Sequence, residues 1–129
     1  MSHAVRRAAT LLACAAAVAL SGATAAPAAA PKGPKPVKVT VNDFYFGPSS
    51  VTIKKNGSIN WIWSELNTYP HDVHLKKGPP GLKQKASYST KTTATTGARF
   101  HKKFVTPGVY KFICTIHPTE MKLTVTVKK

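Results

Sequence analysis

The sequence predicts an all-β domain, a sandwich of antiparallel strands, on three observations. Apolar residues recur with period two along several short runs. Gly, Pro and Asn punctuate the gaps between those runs, and no stretch carries the apolar spacing of a helix. Seven or so short strands in about 95 residues, each separated by a turn, fit two stacked sheets with one core between them.

Residues 1–26 stand outside that fold. Arg6 and Arg7 form a basic start, Leu11 to Leu20 an apolar core, and Ala23-Thr24-Ala25 a small-x-small cleavage pattern. This is the layout of a secretory signal peptide. The apolar run is shorter and richer in Ala than a membrane span requires. Residues 27–36, with four prolines, read as an extended Pro/Ala-rich linker. The domain is then 37–129.

The strands follow in order. Val37, Val39 and Val41 alternate with Lys38 and Thr40, and Val51 and Ile53 begin a second run. Lys55-Asn56-Gly57 is a turn, with Asn-Gly suited to positive φ. Ile59, Trp61 and Trp63 share one face after it. His71, Val73 and Leu75 form the next set of alternating positions. Lys76 to Ser87 is a polar loop around Gly78-Pro79-Pro80-Gly81. Phe100 and Phe104 alternate with basic residues, and Thr106-Pro107-Gly108 turns the chain again. Tyr110, Phe112 and Cys114 share a face of one strand, and Met121, Leu123, Val125 and Val127 a face of the last.

Nineteen Lys+Arg against four Asp+Glu give a net charge of +15, which excludes an acidic or neutral surface. Loss of residues 1–26 leaves +13 and removes Cys14, so Cys114 becomes the sole cysteine of an exported chain. A lone thiol in an oxidising compartment is a liability unless it is buried, paired or metal-bound. All but one of the remaining cations are Lys, and no Arg-rich or aromatic-interleaved motif points to nucleic acid. Such a surface suits an acidic redox partner or an anionic cell-envelope surface; solubility alone accounts for it equally well.

Chemistry concentrates at the strand ends. Cys114, His117 and Met121 lie within Cys-Thr-Ile-His-Pro-Thr-Glu-Met, and His71 begins an earlier run. By parity His71, Cys114 and Met121 point inward, while His74 and His101 face solvent. Thiolate and thioether are soft donors and imidazole is intermediate. Two His and one Cys with a weak axial Met are the donors of a blue-copper electron-transfer centre. Zinc recruits four strong ligands, and Met is not one of them. At this point alternatives stand: Cys114 as a buried apolar residue, Met121 as core, His71 as structural. Cys114 and His117 are also the types of a nucleophile and its base, but no orienting third group is visible.

Gly108 to Met121 resembles the copper loop of the cupredoxins, most of all the plastocyanin/amicyanin/pseudoazurin group. Tyr69-Pro70-His71-Asp72-Val73 is similar to that group's first-ligand segment, and Val51 to Trp61 to the strand-turn-strand before it. The resemblance implies a Greek-key β-sandwich with one type 1 copper ion held by His71, Cys114, His117 and Met121. It also implies single-electron shuttling between redox partner proteins, with His117 as the electron's exit. Two positions depart from the group: Asp72 stands where Asn is usual, and three residues separate His117 from Met121. Asp72 retains an acceptor for Thr115 and adds negative charge near the copper. The expectation is therefore an exported monomeric electron carrier, secreted, periplasmic or envelope-associated, and not an enzyme. The alternative is a protein for copper storage, buffering or delivery.

Overall fold

A computed structural model of the chain describes residues 22, 25–29 and 33–129. Most of the signal-peptide reading (1–26) lies outside the described residues. Of the linker, 27–29 and 33–36 are exposed and carry no regular structure.

The strands are β1 (Val37–Asn42), β2 (Tyr45–Gly47), β3 (Ser50–Lys54), β4 (Ser58–Trp63), β5 (His74–Lys77), β6 (Arg99–Lys103), β7 (Gly108–Ile113) and β8 (Lys122–Lys128). They form two four-stranded sheets, ordered β2-β1-β4-β6 and β3-β8-β7-β5. The all-β sandwich is the one the sequence predicts, but its pairing is mixed. β1 runs parallel to β4, with Val39 opposite Trp61, and β3 parallel to β8, with Val51 opposite Val125. The remaining pairs are antiparallel. Period-two alternation fixes the face a residue takes and says nothing about which strand lies beside it.

Alternation in sequence becomes alternation in burial. Val39, Val41, Ile59, Trp61, Trp63, Tyr110, Phe112, Leu123, Val125 and Val127 are all buried between the sheets. Trp61 is the hub, its ring centroid 5.2 Å from Phe100 and 5.3 Å from Phe112. Phe104 closes one side, packed edge-on to Tyr110 at 4.9 Å. The Lys55-Asn56-Gly57 turn is present: Asn56 takes φ 69°, and the Gly57 amide donates to the Lys54 carbonyl at 2.9 Å. A Cβ on Gly57 would meet that same carbonyl oxygen at 2.9 Å, so the turn demands glycine there.

Three local expectations differ. β2 adds a short strand whose three residues carry too little pattern to read. Residues 76–87 are not one loop: Lys76 and Lys77 belong to β5, and Lys85–Tyr88 form a single 3-10 turn. His71 does not open a strand. It makes an isolated bridge with Ala94, and β5 begins at His74. The intervening amides find side-chain acceptors instead of a neighbouring strand: Asp72 N–H donates to Cys114 Sγ and Val73 N–H to Thr90 Oγ1. The inward parity of the run survives, with His71 and Val73 both buried.

Tyr110 ties the turn before β7 to the core, its hydroxyl donating to the Thr106 carbonyl at 2.7 Å. Burial, with the nearby Tyr88 ring adding to it, pushes its phenol up to about 12. A free phenol ionises near 10. The unfolded chain therefore loses this proton first, and Tyr110's contribution to stability is complete below pH 10 and declines as pH rises toward 12. Tyr110 is expected to give a late phase in an ultraviolet absorbance titration. Tyr110→Phe removes that late phase and costs about 1 kcal/mol in urea unfolding; an unchanged titration curve contradicts the assignment.

Candidate metal centre

The centre forms where the β7–β8 hairpin ends. Ile113 is opposite Lys122 in the ladder, and Cys114 N–H donates to the Met121 carbonyl at 3.2 Å just beyond it. Inside the loop the Met121 amide donates back to the His117 carbonyl at 2.9 Å. Two backbone bonds thus fix the loop that carries Cys114, His117 and Met121. Cys114 and Met121 are fully buried, and His117 is half-buried.

His71 arrives on the segment that leads from β4 into β5. Its amide and carbonyl both bond Ala94 at 2.9 Å, and the Trp63 indole N–H donates to the same carbonyl at 3.2 Å. Asn67, also buried, donates from its side-chain amide to Val41 and Thr95 and so anchors the loop leading to His71. The His71 ring is wholly inaccessible to solvent. Its Nδ1 lies 3.8 Å from Cys114 Sγ, and His117 Nδ1 lies 4.0 Å from the same sulfur. The three donor atoms all fall within 4.8 Å of one another.

Those separations test whether a metal fits. Nitrogen and sulfur donors bound to one ion at about 2.0 and 2.3 Å stand a little under 4 Å apart. One thiol and two imidazole nitrogens at that spacing, with a buried Met beside them in the chain, suit copper in both oxidation states. All four sequence-predicted residues are therefore at this end of the fold, three with their donor atoms converging and Met121 at the loop's closing position. His74 and His101 are exposed and take no part; His101 pairs with the Asn60 side chain. Cys114 is the free cysteine of the described residues.

Asp72 ties the two ligand segments together. Its carboxylate accepts the Thr115 amide at 2.7 Å and also takes the Thr115 hydroxyl. This is the role its sequence position implies, performed by a carboxylate.

Sequence reasoning missed three contributors. Asp43, in the β1–β2 turn, lies 2.8 Å from His71 Nε2. It also accepts from Thr68 N–H and Oγ1 and from Tyr69 N–H, at 2.8 to 3.2 Å. The His71 hydrogen bond, with those from Thr68 and Tyr69, holds its carboxyl well below the usual range against a smaller opposing effect of burial. Phe44, next in the chain, takes φ 67° and sets its ring edge-on to His117 at 5.0 Å, with Tyr69 5.3 Å away. Trp63 showed in the sequence only as one of the alternating residues of its strand, and it also holds the His71 carbonyl. An Asn-Asp-Phe turn between two apolar runs was the available signal for the first two; nothing local pointed it at a histidine 28 residues on.

Residues 35–128 match the family described as copper binding proteins, plastocyanin/azurin family. Amicyanin-alpha of Methylorubrum extorquens is 36% identical over 115 residues, covering 83% of this chain and 90% of that protein. The oxidized plastocyanin structure from Dryopteris crassirhizoma superposes with a TM-score of 0.60 at 28% identity, over 71% of this chain and 100% of that one. A Cu-containing nitrite reductase from Thermus scotoductus shares the fold, with a TM-score of 0.62 at 24% identity and 81% of this chain covered. This chain spans 25% of that enzyme's length.

Addition of Cu(II) to the purified domain is expected to give an intense visible thiolate-to-copper charge-transfer band. Cys114→Ser abolishes it. Met121→Leu keeps it, because a weak axial donor tunes the centre without generating the band. A band that survives in Cys114→Ser rejects the assignment of the thiolate.

Proposed function

The chain belongs to the plastocyanin/azurin family of copper-binding proteins, and from that premise we propose that it is an exported, monomeric carrier of single electrons between redox partner proteins. The observation that carries the reading is the convergence of one thiol and two imidazole nitrogens in a buried site that the protein itself holds in place. Bound copper supplies a one-electron Cu(I)/Cu(II) couple there. The chain's part is to keep the donors still and the site dry. His71 is held by Ala94, Trp63 and Asp43, and the loop of Cys114 by its own backbone and by Asp72. Donors fixed in advance by the fold need little rearrangement when the charge of the site changes by one.

The route outward is His117, half-buried and flanked by Phe44 and Tyr69, both partly exposed. An apolar rim around one imidazole edge lets a partner approach without displacing tightly held water. The lysines elsewhere on the surface suit an acidic partner, whose encounter they would accelerate at low salt. A leader such as 1–26 supports export to the periplasm or envelope, an oxidising setting in which a lone buried thiol held by a metal is protected.

The role is read as non-enzymatic because the donors are taken up by the metal and largely buried, with His117 the donor that reaches the surface. With three donors fully buried, easy release of metal, as storage or delivery requires, runs against the packing.

Voltammetry of the copper-loaded protein is expected to show a reversible one-electron wave, about 59 mV per decade in the Nernst plot, with copper retained through repeated cycles in the presence of a chelator. Loss of copper to the chelator in one oxidation state overturns the carrier reading in favour of delivery.

A further inference from the structure

Both imidazoles of the centre are touched by one short segment outside the ligand loops, the turn between β1 and β2. We propose that this turn is a positioning clamp for the two histidine donors: Asp43 fixes the tautomer and ring orientation of His71, and Phe44 braces the ring of His117. The inference rests on the reading of His71 and His117 as copper donors and adds residues that act through them.

A neutral imidazole presents one N–H and one lone pair, and only the lone pair binds metal. His71 is fully buried, so solvent does not choose between its nitrogens. Asp43 Oδ1 at 2.8 Å from Nε2 accepts a hydrogen bond from a proton held there, which leaves the Nδ1 lone pair free and directed toward the Cys114 sulfur. The carboxylate is itself fixed. Oδ2 accepts both Thr68 N–H and Thr68 Oγ1, and Oδ1 accepts Tyr69 N–H beside the imidazole. It therefore acts as a stationary anion 28 residues away in sequence, in contact with the far nitrogen of a histidine that would hold the copper. Hydrogen bonding to an anion makes the ring a stronger donor, which favours the more highly charged copper ion.

The next residue carries a separate mark. A bulky side chain at φ 67° is a backbone outlier, and Phe44 is 45% exposed, so the conformation is not explained by burial of the ring in the core. The ring instead meets the His117 ring edge-on at 81° and 5.0 Å, on the side where Tyr69 lies 6.1 Å from it. Strain placed beside a ligand and not in the core points to a holding role.

The test uses the folded domain with Asp43→Asn, Asp43→Ala, Thr68→Val and Phe44→Gly. In the copper-free wild type, nitrogen NMR of the ring is expected to show His71 as a single Nε2–H tautomer. Asp43→Ala mixes the tautomers and lowers Cu(II) affinity about 10–100-fold, with Cu(I) affinity less affected. Each tenfold change in that ratio raises the reduction potential by about 59 mV. Asp43→Asn keeps an acceptor and removes the charge, so the tautomer stays and the potential rises. Thr68→Val removes one of the bonds that fix the carboxylate but leaves the imidazole contact, so a potential shift in the same direction, smaller than that of Asp43→Ala, is expected with the tautomer kept. Phe44→Gly relieves the turn and frees the ring of His117, whose signals broaden. A folded Asp43→Ala with wild-type tautomer, affinity and potential overturns the clamp. So does a Thr68→Val that reproduces the whole shift. Should Asp43→Ala not fold, an unchanged potential in Asp43→Asn overturns it. Unaltered His117 signals in Phe44→Gly overturn the second half. The tautomer is read without copper or partner, so the clamp stands or falls independently of electron carriage.

Discussion

The register of the β7–β8 hairpin is the constraint on which the metal end depends. With Phe112 opposite Leu123 and Ile113 opposite Lys122, Cys114 and Met121 arrive on the core side of their strands and their backbones meet across the loop mouth. A slip of one residue would turn one of the two sulfurs to solvent, since opposed residues share a face and successive side chains alternate. The slip would also expose that strand's apolar set, Phe112 on β7 or Leu123 and Val125 on β8, so the apolar core and the ligand set enforce the same register. Every other contact at the site presupposes this one. Asp72 reaches Thr115, and His71 Nδ1 faces the sulfur, only because Cys114 stands where the hairpin puts it.

Charge is distributed with the same economy. A chain of +15 has four carboxylates, and three of them are at this end. Asp43 holds His71, Asp72 holds Thr115, and Glu120 precedes Met121, its carboxyl lowered chiefly by a hydrogen bond from Thr119. Each of the first two is bonded by several donors, so the negative charge near the ligands is fixed in position. The partly buried carboxylate of Asp43 also offsets the cost of placing positive charge in a site walled by apolar side chains. Elsewhere the lysines are scattered over both sheets and their loops, where water screens them.

What the sequence disclosed follows from how local each signal is. Alternation along β1, β4, β7 and β8 announced the core, because burial acts residue by residue. Cys114, His117 and Met121 were legible together, because sulfur and imidazole donors in one short loop have few other uses. His71 was legible as to parity and not as to strand: its segment bonds Cys114 Sγ, Thr90 and Ala94, none of which is near in sequence. The parallel pairs β1–β4 and β3–β8 were invisible for the same reason. Asp43 and Phe44 looked like turn residues, which they are. Their second role exists only once β1 and the loop before His71 lie side by side.

The burial of the donors bears on what can pass through the site. His71, Cys114 and Met121 show no exposed surface, and His117 is the donor that reaches the surface. An electron needs only that one imidazole edge. An ion needs the donors to open, and opening here means parting hydrogen bonds of His71 to Ala94, Trp63 and Asp43, or breaking the hairpin mouth at Cys114 and Met121. Each of those bonds contributes about 0.5–1.5 kcal/mol, more where a charge is involved. Breaking several at once is therefore much rarer than the small motions that bring a partner against His117. The left-handed backbone at Phe44, which costs about 1–2 kcal/mol, goes the same way: it is spent on keeping an aromatic edge beside the one donor that could swing outward. On the carrier reading, the same packing that would retain the metal leaves the electron an open edge.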